Sequence, residues 1–123
     1  RRVRAPFSVN SLAIAAGLAA LERPAWQDMT VTRVREGRAR FQRLLDDLGV
    51  EYFPSQANFV TAKVPHTLVA EPLARAGISV RPGDDLGLPG WTRFTVGWAP
   101  TMAVLHDVLR DLVHDHTTSR HGR

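Results

Sequence analysis

The hydrophobic pattern of this chain changes period near Gly49, and that change confines it to folds that join helices to a small sheet. Before Gly49, Val34, Phe41, Leu45 and Leu48 recur at spacings of seven, four and three, which puts them on one face of a helix. After it, residues 58–64 (NFVTAKV) set Phe59, Thr61 and Lys63 against Val60, Ala62 and Val64, the two-residue period of a strand. A helix-period stripe cannot line one face of a strand, so the two halves must form different elements that share one core.

The punctuation between these patterns predicts the elements. Residues 1–9 are basic and broken by Pro6, and read as a connector. Ser8 or Asn10 can cap an alanine-rich helix over SLAIAAGLAALER, and Pro24 ends it and opens the next. The second helix runs from Ala25 to Leu48, with Gly37 beside its apolar stripe implying close backbone contact there. Gly49 suits the left-handed position that follows it. Short strands are expected at 50–53, 58–64, 78–81 and 92–96. A short helix over 67–76, capped by Thr67 and ended by Gly77, separates the second strand from the third. The run PGDDLGLPG (82–90) is loop, and a last helix starts at Pro100 with Met102, Leu105, Leu109 and Leu112 on one face. The expected fold class is α+β: a small mixed or antiparallel sheet of three to four short strands covered by helices, with a long leading helix. Residues 10–113 form the domain, and 114–123 are a polar, frayed tail.

Composition excludes several chemistries. With no cysteine in 123 residues there are no disulfides, thiolate nucleophiles or cysteine metal sites, which fits a cytoplasmic location. No apolar run approaches the ~18 residues of a membrane span. The 16 basic residues are all arginine except Lys63, so a mechanism that needs a lysine must use Lys63 or a residue outside this sequence. The net charge of +4 raises the question of nucleic acid. However, Arg33, Arg35, Arg38, Arg40 and Arg43 spread around the second helix, and acids lie four positions away at Glu36 and Asp47. That is a solvated charged face, and no nucleic-acid partner is expected.

Few residues suggest chemistry. No Ser-His-Asp pattern and no lysine-bearing phosphate loop is present. His66 and His106 are isolated, His114 and His116 do not share a helix face, and His121 lies in the tail, so no metal site is expected. Two arginines stand out. Arg81 ends a short apolar strand before a Pro-Gly turn, and Arg93 sits among Trp91, Thr92, Phe94 and Val96. A charge inside an apolar strand needs a partner, and the guanidinium fork matches a carboxylate or phosphate with two parallel bonds.

Three stretches resemble the C-terminal, small-domain part of histidinol-phosphate aminotransferases and their fold-type I relatives. They are PFSVNSLAIAAGLAAL (6–21), ANFV (57–60) and, most specifically, GISVRPGDDLGLPGWTRFTVG (77–97). The resemblance implies a pyridoxal-phosphate-dependent aminotransferase, acting as a homodimer on an anionic amino-acid-like substrate and a 2-oxo acid, in histidine biosynthesis. It implies that Arg93 grips the substrate's anionic group and that Arg81 is a second substrate-binding arginine. Asn10 and Asn58 match positions of structural use. The family's Schiff-base lysine has no counterpart here, Lys63 being mid-strand, so this chain alone supplies no catalytic residue and is expected to be inactive. Val-Gly-Trp-Ala-Pro (96–100) departs from the family, which carries a polar and then acidic residues there. An aromatic aminotransferase, a phospho-amino-acid decarboxylase and a non-catalytic binding module derived from the domain are the alternatives.

Overall fold

The computed structural model describes residues 8–120, with the backbone alone from 114 onwards. Most of the expected connector, residues 1–7, lies outside the described residues, as do residues 121–123 of the tail. Among the described residues, four helices and three strands follow in the order α1 (Ser11–Leu21), α2 (Pro24–Asp47), β1 (Phe59–Ala62), α3 (His66–Arg75), β2 (Arg81–Pro82), β3 (Thr92–Thr95) and α4 (Ala99–Arg120), with a 3₁₀ turn at Asp84–Leu86. The chain divides into two compact units between Arg33 and Val34.

In the first unit, Asn10 is the cap of α1, its side-chain oxygen accepting the Ala13 N–H at 2.8 Å. None of the eleven residues of α1 is buried. The unit continues into the first turns of α2, where the Gln27 amide donates to the Ala20 and Leu21 carbonyls at 2.9 and 3.1 Å.

The second unit holds the core. Its sheet is antiparallel throughout, in the order β1-β3-β2, so the last strand in sequence is central. From α2 the core takes Phe41, Leu44 and Leu45; from the sheet, Val60, Ala62 and Phe94; from α4, Met102, Leu105 and Leu109. The spacing argument thus finds the buried face of both long helices, although Leu44 replaces Val34 and Leu48 as a fully buried position, and those two are half-buried. Phe41 and Phe94 meet edge to face with centroids 5.5 Å apart and join α2 to the sheet. Each such ring contributes roughly 1.5–3 kcal/mol through burial.

Several expected elements take a different form. Residues 50–53 make a single bridge, Tyr52 to Ala62, rather than a strand. Pro54 follows at once and has no N–H with which to extend a ladder. The strand expected over 78–81 is only Arg81–Pro82, and Pro82 is tolerated because β2 is an edge. The cap of α3 is Pro65, without a side-chain bond, where Thr67 was expected; the helix starts one residue earlier, at His66. The polar stretch from His114 is helical to Arg120 rather than frayed, with neither Pro nor Gly interrupting residues 101–120. Arg38 is not simply solvated: it donates to the carbonyls of Gln56 and Ala57 at 3.0 and 2.7 Å and ties α2 to the loop ahead of β1.

Gly37 answers a contact, though with a side chain rather than the expected backbone. A Cβ there would stand 2.8 Å from Val96 Cγ1, and Val96 is buried and stiff at χ1. Gly37→Ala is therefore expected to destabilise by about 1–3 kcal/mol despite alanine's better helix propensity. Urea denaturation checks this; a higher midpoint in the variant would show that propensity outweighs the clash.

Candidate functional site

The site follows from the alternation of β3. Thr92 and Phe94 point into the core, and the Thr92 hydroxyl is satisfied there by donating to the Val64 carbonyl at 2.8 Å. Arg93 and Thr95, one residue out of phase, belong to the opposite face. Arg93 stands directly across from Thr61 on β1 and from Arg81 on β2. Cross-strand partners share a face, so the two arginines singled out in the sequence sit side by side on one surface of the sheet.

Their surroundings are unusual for two cations. Like charges directly opposed across strands destabilise a sheet. Among the described residues, neither guanidinium takes part in an ion pair. Arg93 is half-buried, and its Nε is shielded from solvent without a hydrogen-bond partner. Its guanidinium lies over the Phe59 ring, 5.0 Å from the centroid, which orients the fork and offsets part of the desolvation. Arg81 is exposed at the sheet edge. A neighbouring anion would relieve the repulsion and give the unpartnered Nε an acceptor.

An aromatic wall continues this face. Trp91, two residues ahead of Arg93, stacks on Phe53 with centroids 4.5 Å apart and planes 18° from parallel. Phe53 is held beside the sheet by its N–H bond to the Thr61 carbonyl at 3.0 Å. Lys63 lies 6.0 Å from the Trp91 centroid, but its ammonium is already engaged by Glu51 at 2.7 Å. Sequence reasoning missed Phe53, Phe59 and Trp91 as members of this surface. The two-residue alternation through Thr61 would have placed Phe59 here; Phe53 could not be found that way, because it lies outside any strand.

The loop between β2 and β3 sets where Trp91 and Arg93 stand. Gly83 donates to the Trp91 carbonyl at 2.7 Å and accepts from Leu88 at 2.9 Å, closing the turn. A Cβ at Gly83 would run into the Leu88 carbonyl oxygen and stand 2.7 Å from that of Trp91, so only glycine lets the loop close this tightly. The backbone carbonyl of Asn58, rather than its side chain, accepts the Val96 N–H at 2.8 Å and fastens the far end of β3.

His66 and His106 lie elsewhere, and among the described residues no group of three His, Asp or Glu could hold a metal ion. His106, on α4, stacks on Phe41 and so lies on the helix side of the sheet; its Nε2 is buried without a partner. Burial first, and then Arg110 and Arg40, push its pKa below the usual 6.5, while Asp107 opposes them. A depressed histidine pKa favours the fold while the ring is neutral, so this contribution is complete above about 6.5 and is lost as pH falls below that value. Stability measured between pH 7 and 5 should decline, and His106→Leu should remove part of that slope; an unchanged slope would show that the ring titrates freely.

Among the described residues no helix is long and apolar enough to cross a membrane. The sequence model of the family described as aminotransferase class I and II matches residues 1–112. The chain is 47% identical over 96 residues to histidinol-phosphate aminotransferase of Symbiobacterium thermophilum, covering 76% of this chain and 27% of that protein. It is 39% identical over 110 residues to histidinol-phosphate aminotransferase of Lactiplantibacillus plantarum, covering 89% of this chain and 30% of that protein. It therefore spans under a third of the length of these curated relatives. The crystal structure of histidinol-phosphate aminotransferase from Sinorhizobium meliloti in complex with pyridoxal-5'-phosphate superimposes with a TM-score of 0.73 at 22% identity, over 93% of this chain and 33% of that one, and shares the fold.

Proposed function

Because the chain belongs to the class I and II aminotransferase family, we propose that it is the substrate-gripping portion of a pyridoxal-phosphate-dependent aminotransferase. The amino donor is histidinol phosphate and the acceptor 2-oxoglutarate, in histidine biosynthesis. The observation that carries this reading is the cross-strand couple of Arg81 and Arg93, without an ion pair among the described residues, in which a half-buried guanidinium keeps an unpartnered Nε. Relatives named histidinol-phosphate aminotransferase support the choice of substrate.

Arg93 binds the anionic group of the substrate, with the Phe59 ring 5.0 Å away supporting the guanidinium by a cation–π contact. Arg81, at the exposed edge, adds a second charge and attracts the same anion from solvent. Holding the substrate at its anionic end leaves its amino group at a set distance and direction, which lowers the entropic part of the barrier. The Phe53–Trp91 stack offers an apolar wall beside the anion site.

The residues of this chain do not fit the cofactor itself. Its one lysine lies just past the end of β1, not mid-strand as expected, and is paired with Glu51, so the group that carries the cofactor belongs to a part of the protein outside this chain. Homodimer formation is part of the same reading. The test is amino transfer by the complete protein, following glutamate formed from 2-oxoglutarate with histidinol phosphate, aromatic amino acids and phosphorylated amino acids as donors. A preference for histidinol phosphate of at least about tenfold in kcat/KM is expected, since losing one charged contact costs that much. Carbon dioxide release, or equal use of aromatic amino acids as donors, would overturn the substrate assignment.

A further inference from the structure

Helix α1 is unlike the other α-helices among the described residues. Its sequence, SLAIAAGLAAL, has no charged residue, and none of its positions is buried. Leu12, Ile14, Leu18 and Leu21 are 80%, 53%, 59% and 70% exposed. These four are not a stripe: they fall at successive spacings of two, four and three, and alanine and glycine fill the gaps between them. A helix that is apolar on all sides is one that is surrounded.

Both ends of α1 also carry capping bonds. At its start the Asn10 side chain satisfies the Ala13 N–H. At its end the Gln27 amide reaches back to the Ala20 and Leu21 carbonyls, and the Glu22 N–H takes the Leu18 carbonyl. A surface helix can leave such terminal groups to water, whereas an enclosed one cannot.

We infer that α1 is an anchoring helix, enclosed in the complete protein by the part of the polypeptide that the relatives possess and this chain does not span. The inference rests on the family reading, through the 73% of the Symbiobacterium thermophilum relative's length beyond the matched 27%. Other occupants fit less well. Eleven residues rise about 16 Å, half of a bilayer core, and a helix lying on a membrane surface needs a basic polar face that α1 lacks. A second copy pairing helix to helix would cover one side and leave the other leucines in water.

The chain has no cysteine, which makes the test direct. Leu18→Cys is made in this chain and in a hybrid, the Symbiobacterium thermophilum relative with its matched stretch replaced by this chain. Maleimide labelling at position 18 is followed by peptide mass spectrometry. In the chain alone the introduced thiol should react as fast as in urea; in the folded hybrid it should react about a hundredfold more slowly, because labelling then waits for local opening. Equal rates in the folded hybrid would overturn the inference. So would protection in the chain alone that grows with concentration alongside a dimer mass, or protection by phosphatidylcholine–phosphatidylglycerol vesicles. If the hybrid shows no cooperative unfolding, the thiol goes to the aligned position of the unaltered relative, where free labelling would equally sink the idea. Labelling does not depend on turnover: a protected thiol without amino transfer would refute the proposed activity and leave the anchor standing.

Discussion

Arg93→Lys in the complete protein should lower kcat/KM about ten- to a hundredfold, the loss expected when a charged hydrogen bond of ~1.5–3 kcal/mol is withdrawn. The substitution keeps the positive charge, so attraction at a distance persists. What goes is the planar fork and, with it, the Nε donor that is buried and unpartnered in the structure. Lysine also loses the broad cation–π contact with Phe59, whose centroid lies 5.0 Å from the guanidinium. Arg81→Lys should cost several times less, since that side chain is exposed at the edge of the sheet and water can replace what it loses. The measurement is steady-state kinetics of both variants, with cofactor absorbance and the unfolding midpoint showing that neither has lost its fold. An unchanged kcat/KM for Arg93→Lys would return Arg93 to a structural role, as would a larger effect at Arg81.

Phe94→Ala should destabilise the chain by about 3–5 kcal/mol, the usual cost of emptying a large buried aromatic site. Phe94 is fully buried, meets Phe41 edge to face, and lies on the central strand, so neighbouring side chains cannot close the space from one side. Domains have only about 5–15 kcal/mol in hand, so the loss should show as a much lower urea midpoint. The same change tests how the two sheet faces are linked. Arg93 owes its direction to its neighbours Thr92 and Phe94 facing the core. Phe94→Leu, which keeps most of the volume, should cost far less. Similar losses for the two variants would mean that the shape of the ring, not its volume, holds the strand.

The long helices were legible because their signal is local and repeated. Phe41 and Leu45 on α2, and Met102, Leu105 and Leu109 on α4, lie where their spacing places them. The short strands were less so. Residues 50–53 and 78–81 have the composition of strands, yet hydrogen bonding decides the matter, and Pro54 and Pro82 cut it short at the sheet margins. Arg93 and Arg81 could be singled out as costly charges among apolar neighbours. Phe53 and Trp91, 38 positions apart, could not be paired from their order in the chain.

By itself, then, the sequence determined the long helices and their buried faces, the candidate arginines and the family resemblance, all of which rest on residue type and short-range spacing. Only the tertiary structure decided that β3 lies between β1 and β2, and hence that Arg81 faces Arg93. It also decided that Gly37 makes room for Val96, and that α1 is left bare. Strand order and register join residues distant in sequence through backbone hydrogen bonds that every residue type but proline can make on both sides, so residue type says little about which partner is chosen.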